Sequence, residues 1–307
     1  PRTDPDKPMD SNGFVSPYSP NTDSDRRQML DAIGVDSVDE LFLDIPEASR
    51  NPPLNLAPPK SEMELLRYTE ELAAMNAVPG DYACFLGAGA YRHHVPAIVR
   101  QLTGRSEYVT SYTPYQPEVS QGTLQTEFEF QTLCAQLTGM DVANAGMYDG
   151  ATSLAEGALM AVRINGGRRV AVLDSVSPTY VRVLETYTRS QGIEIDIVSS
   201  DDLILAEGTA CLLVQQPNFF GYMQDMQALS DKVHAQGALF VVYADPVSMA
   251  MFKPPADYDA DIVASEGQAL GVAPTFGGPY VGIFACKQQH IRQMPGRIVG
   301  RTVDTEG

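Results

Sequence analysis

The stretch from Gly139 to Cys286 constrains this chain most, because short apolar runs alternate there with segments of helical period. Val170 to Leu173, Ile193 to Val198, Ala210 to Gln215 and Leu239 to Ala244 read as strands, with helices over Pro178 to Gln191 and Asp225 to Gln236. Leu239 to Ala244 is apolar throughout, as a strand covered on both faces must be. Ile262 and Val263 read as a further short strand, and Tyr280 to Cys286 as another after a Gly277, Gly278, Pro279 turn. This rhythm predicts a three-layer α/β/α domain around a mostly parallel sheet.

Helices precede that domain. Asp25 to Ile33 is a short helix stopped by Gly34, and Ser37 with Glu40 and Ser61 with Glu64 have capping-box spacing. Leu65, Tyr68, Leu72 and Met75 recur at helical spacing before Pro79 and Gly80, and the Pro-rich connector from Asn51 to Lys60 is held extended. A helix is expected from Gly122 to Gly139, and a buried one over Ala151 to Ile164, closed by Asn165, Gly166 and Gly167. The expected divisions are a loose tail over 1–22, rich in Pro, Asp, Asn and Ser, a helical region over 23–90 and a large domain over 91–307.

Charge and motif content exclude several classes of function. With 39 acidic and 21 basic residues the net charge is −18, so a nucleic-acid backbone meets repulsion, and no apolar stretch approaches a membrane span. Cys84, Cys134, Cys211 and Cys286 are widely spaced in apolar surroundings and read as buried thiols of a reducing compartment, with cytoplasm the expected location. Gly87 to Arg92 does not complete a dinucleotide fingerprint, and the chain has neither a P-loop nor a Gly-x-Ser-x-Gly elbow. The adjacent His93 and His94 lack metal-ligand spacing, so no metal site is expected.

Ligands of open α/β sheets lie beyond the carboxyl ends of the strands, a rim to which Asp174, Pro217, Asn218 and Asp245 belong. Asp245 suits either a protonated ring nitrogen of a cofactor or a local loop hydrogen bond. Gly150, Ala151 and Thr152 open a helix whose amides either take a phosphate or simply start the helix. Tyr108 to Gln121, YVTSYTPYQPEVSQ, is a Pro-stiffened segment. Its polar groups either converge on a small polar ligand or belong to a structural loop with packed tyrosines.

GAGAYRHHVP at 87–96, YTPYQPEVSQG at 112–122, ANAGMYDGATSLAEGALMA at 143–161 and SEGQALG with FGGP near 265–279 together carry a resemblance. The chain resembles the glycine dehydrogenase (decarboxylating) family, the P-protein of the glycine cleavage system, from about Tyr18 to Gly307, and within it the alpha chain of the split bacterial form. The resemblance implies the type I fold of pyridoxal-phosphate enzymes, with a large domain and a small C-terminal one. Family chains continue past RQMPGRIVGRTVDTEG at 292–307, so the small domain is expected to be missing here.

Cofactor chemistry of this kind needs a lysine amine. The lysines are Lys7, Lys60, Lys232, Lys253 and Lys287, whereas the corresponding region reads Ser265 to Leu270, and Gln268 and Ala269 form no imine. The resemblance therefore implies a subunit with no cofactor of its own, with Thr152 and Asp245 candidate relics of a cofactor site and Asp245 alternatively a structural residue. The beta subunit, in an alpha2-beta2 enzyme, would carry pyridoxal phosphate, decarboxylate glycine and pass the aminomethyl group to the lipoyl arm of H-protein. Tyr91, His94, Tyr112, Tyr115, Gln116, Glu118, Ser120 and Gln121 are the residues implied to line or support the subunit cleft. A noncatalytic structural partner and a stand-alone pyridoxal-phosphate enzyme are the other readings.

Overall fold

The computed structural model describes residues 21–306 except 51, 54, 79, 88, 110–112, 202, 276 and 279. The expected tail thus lies, up to residue 20, outside the described residues, as does Tyr112. The chain divides into two compact units, Pro1–Ala77 and Val78–Gly307.

In the first unit, α1 (Asp23–Ile33) starts at a reciprocal box between Thr22 and Asp25 and ends at Gly34, whose φ of 88° is left-handed. The Ser61–Glu64 box forms as expected and opens α2 (Glu62–Ala73). The Ser37–Glu40 box does not form. The Asp36 amide and the Ser37 hydroxyl both donate to the Glu40 carboxylate, leaving no reciprocal cap, and the segment Val38–Phe42 winds as a 3-10 helix.

The second unit begins with α3 (Ala97–Thr103) and the single turn α4 (Ser106–Val109), neither evident from periodicity. The long α5 (Pro117–Thr138) follows. It starts five residues before the expected Gly122, since Pro117 is preset for a first helical turn. Ser120, at φ −134° and ψ 26°, breaks its regularity. The tyrosine-rich segment is therefore helical, not loop, from Pro117 onward.

A two-residue strand β1 (Val142–Ala143) leads to α6 (Gly150–Asn165), β2 (Arg169–Leu173), α7 (Pro178–Thr188), β3 (Glu194–Val198) and β4 (Thr209–Gln216). Next come α8 (Met226–Ala235), β5 (Leu239–Ala244), β6 (Ile262–Glu266) and β7 (Gly282–Cys286). The sheet order is β1-β7-β6-β5-β4-β2-β3, parallel from β3 to β6 and antiparallel where β7 pairs with β6 and β1. Strand β6 runs to Glu266, three residues beyond the expected Val263, because its pairing with β7 extends to Glu266 opposite Gly282.

Three layers follow from the side-chain alternation of β5. Val241 and Tyr243 face the glycines of α6, while Phe240 points to the other face, onto Tyr258, where α8 packs against β5. Phe240, Val241 and Val242 are fully buried, as the apolar run required. Helix α6 lies close enough to the sheet that a side chain at Gly150 would meet Tyr243 at 2.8 Å and the Glu266 Cβ at 2.9 Å. Glycine at this position is what lets the helix start directly over the strand ends.

At the amino ends of β5 and β6, Asp261 gathers a charge cluster. Its carboxylate accepts from Lys287 Nζ at 2.6 Å, His234 Nε2 at 2.7 Å and the Phe240 amide at 2.8 Å. Lys287 also pairs with Asp259 at 2.8 Å. Burial alone would raise the Asp261 pKa, yet Lys287, the Phe240 amide and His234 together hold it below its ordinary value.

Candidate functional site

The opposite, carboxyl edge of the sheet holds a cavity of about 270 Å³. Asp245 reaches it from the end of β5, Glu266 from the end of β6, and Pro217 and Asn218 from the loop after β4. This is where an open parallel sheet places a ligand. Asp174, expected on the same rim, does not line it, and its side chain is exposed.

One wall is aromatic. Tyr180, in the first turn of α7, stands edge-on to Tyr243 of β5 with ring centroids 4.8 Å apart, and the two hydroxyls hydrogen-bond at 2.9 Å. Burial pushes Tyr180 up to about 12 and raises Tyr243 as well, so both remain neutral hydrogen-bonding groups at physiological pH. Gln215, which also lines the cavity, fixes the entry to α7 by accepting from the Ser177 amide at 2.8 Å.

The floor is a carboxylate clamp. Glu266 Oε2 accepts from the Gly150 amide at 2.8 Å and Oε1 from the Gln268 amide at 2.9 Å. Asp149 supplies the cap of the same helix through the Thr152 amide at 2.7 Å, and Thr152 returns a bond to the Asp149 amide. Thr152 is thus an ordinary helix-start residue and does not line the cavity. Burial raises the pKa of Glu266, opposed by the amides of Gly150 and Gln268. Asp245 accepts from the Ser248 amide at 2.8 Å, the local loop bond that was one of its two readings, while still facing the cavity.

Pyridoxal phosphate, which the resemblance implies for the family, does not fit these residues. Among the described residues no lysine and no arginine lines the cavity. Gln268 and Ala269, which lie in the region where the resemblance implies the anchoring amine, line the cavity and offer no primary amine. At the start of α6, where a phosphate would seek free amides, the Gly150 amide already serves Glu266. Among the described residues no group of three or more His, Cys, Asp or Glu side chains can hold a metal ion, and no helix is long and apolar enough to cross a membrane.

Of the residues singled out from sequence, the cavity brings together Tyr91, Pro217, Asn218, Asp245, Gln268 and Ala269. His94 is exposed beside it in sequence, with His93 edge-on to the Tyr91 ring at 6.5 Å. Tyr115 lies outside the cavity under the Arg297 guanidinium, 4.7 Å from its ring centroid. Gln116 precedes α5 without capping it, Glu118 and Gln121 are exposed in its first turns, and Ser120 is buried at the irregular position. Tyr180, Tyr243 and Glu266 went unnoticed in the sequence, although a charged residue ending an otherwise apolar strand was a signal for Glu266. Cys84 corrects another expectation: it is exposed, whereas Cys134, Cys211 and Cys286 are buried.

The family model of the glycine cleavage system P-protein matches residues 16–307. The chain is 47% identical over 300 residues to the "Probable glycine dehydrogenase (decarboxylating) subunit 1" of Desulforamulus reducens, covering 94% of this chain and 67% of that protein. It is 48% identical over 303 residues to the protein of the same name from Solibacter usitatus, again covering 94% and 67%. A crystal structure of glycine decarboxylase (P-protein) of the glycine cleavage system, in inhibitor-bound form, superposes with a TM-score of 0.87 at 43% identity, over 94% of this chain and 67% of that one. The more distant sphingosine-1-phosphate lyase of Burkholderia pseudomallei, at 14% identity and a TM-score of 0.56, shares the fold. The chain therefore belongs to the glycine cleavage system P-protein family, alongside the proteins called glycine dehydrogenase (decarboxylating) subunit 1.

Proposed function

We propose that this chain is the alpha subunit of a heteromeric, pyridoxal-phosphate-dependent glycine decarboxylase and that its beta partner carries the cofactor. One observation carries the division of labour: the cavity at the strand ends keeps Asp245 and an aromatic wall but has Gln268 and Ala269 where an amine would stand. In this reading the enzyme is an alpha2-beta2 assembly in the cytoplasm, and the lipoyl arm of H-protein is its co-substrate. Pyridoxal phosphate supplies the electron sink for decarboxylation in the partner. This chain orients and encloses.

Tyr91 would present its ring at the cavity mouth, and His94, Tyr112, Tyr115, Gln116, Glu118, Ser120 and Gln121 would support the subunit cleft. A purely structural partnership is favoured by one feature, the exposure of Tyr115, Gln116, Glu118 and Gln121 outside the cavity. The test is a glycine and H-protein exchange assay on the co-purified subunits, omitting each component in turn. The alpha reading expects turnover only with all components, and borohydride reduction to fix cofactor to the partner alone. Labelling of a lysine in this chain overturns it. Gln116→Ala and Tyr112→Phe then separate the roles: impaired turnover in an intact assembly supports a cleft contribution, and impaired assembly supports the structural partnership.

A further inference from the structure

We infer that Gln268, the residue in the region where a cofactor-anchoring amine is expected, is a positioning residue that sets Tyr91 at the cavity mouth. Its side chain is 2% exposed and all its polar hydrogens are engaged. Nε2 donates to the Tyr91 carbonyl at 3.2 Å and to the Val272 carbonyl at 2.6 Å, and Oε1 accepts from the Tyr91 amide at 3.4 Å. The side-chain amide thus meets both backbone groups of Tyr91, as a neighbouring strand residue would, across 177 residues of sequence.

Gln268 is itself held from behind. Its backbone amide donates to Glu266 Oε1 at 2.9 Å and its carbonyl accepts from the Val272 amide at 3.0 Å. A continuous relay therefore runs from the start of α6, through Glu266, to Gln268 and on to the backbone of Tyr91. The segment it holds needs holding. Gly87 and Gly89 have φ of 66° and 98°, and among the described residues of 81–96 none belongs to a helix or strand. A glutamine suits this task because it offers two donors and an acceptor in one plane, which lysine, methionine and glutamate do not. Buried and fully paired, it fixes geometry where a partly paired group would loosen it.

The inference rests on the proposed reading that Tyr91 contributes to the cleft shared with the partner, and the experiment separates the two. Gln268→Met keeps the volume and removes every side-chain hydrogen bond; Gln268→Glu keeps the acceptor and turns lone pairs toward two carbonyls. Both are made in the co-expressed enzyme, alone and with Tyr91→Ala, and assembly is followed by gel filtration. The expected result is normal assembly with a roughly 10- to 100-fold lower kcat/KM in Gln268→Met, the scale of a side chain displaced by about an ångström. Tyr91→Ala should show a similar loss, and the double variant no further loss, since Gln268 acts through Tyr91. Gln268→Glu should regain activity relative to wild type as the pH falls and its carboxyl becomes a donor.

Wild-type turnover in Gln268→Met overturns the inference and leaves the reading of Tyr91 standing, as does multiplication of the two losses in the double variant. If Tyr91→Ala turns over normally, the reading of Tyr91 fails, and the inference with it. If Gln268→Met does not assemble, the Gln268→Glu pH profile decides: recovery at low pH supports positioning, and a profile parallel to wild type overturns it.

Discussion

Asp261→Asn isolates the charge cluster at the amino end of the sheet. The wild-type carboxylate meets three donors, the Lys287 ammonium, the His234 ring and the Phe240 amide, with a side chain only 5% exposed. Asparagine keeps one acceptor oxygen and turns an NH2 either toward the ammonium or toward the buried amide. Breaking a buried pair costs about 3–5 kcal/mol, and leaving a buried amide unpaired about 1–3 kcal/mol. Lys287 retains Asp259 and is a quarter exposed, which places the expected loss near the lower bound, about 3 kcal/mol.

For a unit the size of Val78–Gly307, each kcal/mol moves the melting midpoint by roughly 2–4 °C, so Tm should fall by roughly 6–12 °C at pH 7. The pH dependence has a definite sign. The folded-state pKa of Asp261 is below its ordinary value of 3.8, so its contribution is fully present above that value and is lost as pH falls through the folded one. Melts followed by circular dichroism at pH 7, 5 and 3.5 should show a gap between wild type and variant that is constant at the first two and narrower at the third. A shift of under about 2 °C at pH 7, or a gap independent of pH, refutes the assignment of this energy to the ionised cluster.

Gly150→Ala should lower stability by about 1–3 kcal/mol, read from denaturant melts, since its methyl would press on the Tyr243 ring and the Glu266 Cβ with the Glu266 backbone nitrogen 3.1 Å away. Native chain treated with a thiol reagent should release one equivalent quickly, from exposed Cys84, and the other three of its four cysteines only on unfolding. Burial also pushes the Cys134 and Cys286 thiols up to about 12, which removes the reactive thiolate. Gln131→Ala should speed tryptic cleavage at Arg297 and Arg301 several-fold. Its side chain accepts from the Val299 amide at 2.8 Å and donates to the Val299 carbonyl at 2.9 Å, adding to the Ala145 amide's bond to the Arg297 carbonyl in pinning that segment.

The sheet was legible because its strands are buried on both faces and advertise this as apolar runs. Leu239 to Ala244 and Val170 to Leu173 needed only their residue types. Strand β1 left no such trace, since two residues at the edge of β7 take their conformation from pairing. The same holds for the start of α5. Pro117 is a helix opener only where the preceding chain leads into it, and beside Pro114 it equally suggested a stiff loop. At the site, Asp245 was visible as a lone acid after an apolar strand. Tyr180 was not, and Gln268 stood out only as a residue that forms no imine, because the work of each depends on a partner 63 and 177 residues away respectively. Cys84 misled for the opposite reason: apolar neighbours such as Phe85 and Leu86 suggested burial, yet both are exposed.

The Glu266 clamp has a consequence for what the start of α6 can receive. The positive end of a helix is the cheapest anion receptor a fold possesses, and here an internal carboxylate already occupies it. On the proposed reading, an amine grafted at position 268 or 269 would meet a helix start that already holds a negative group, so cofactor capture by this cavity would require both the graft and the removal of that carboxylate.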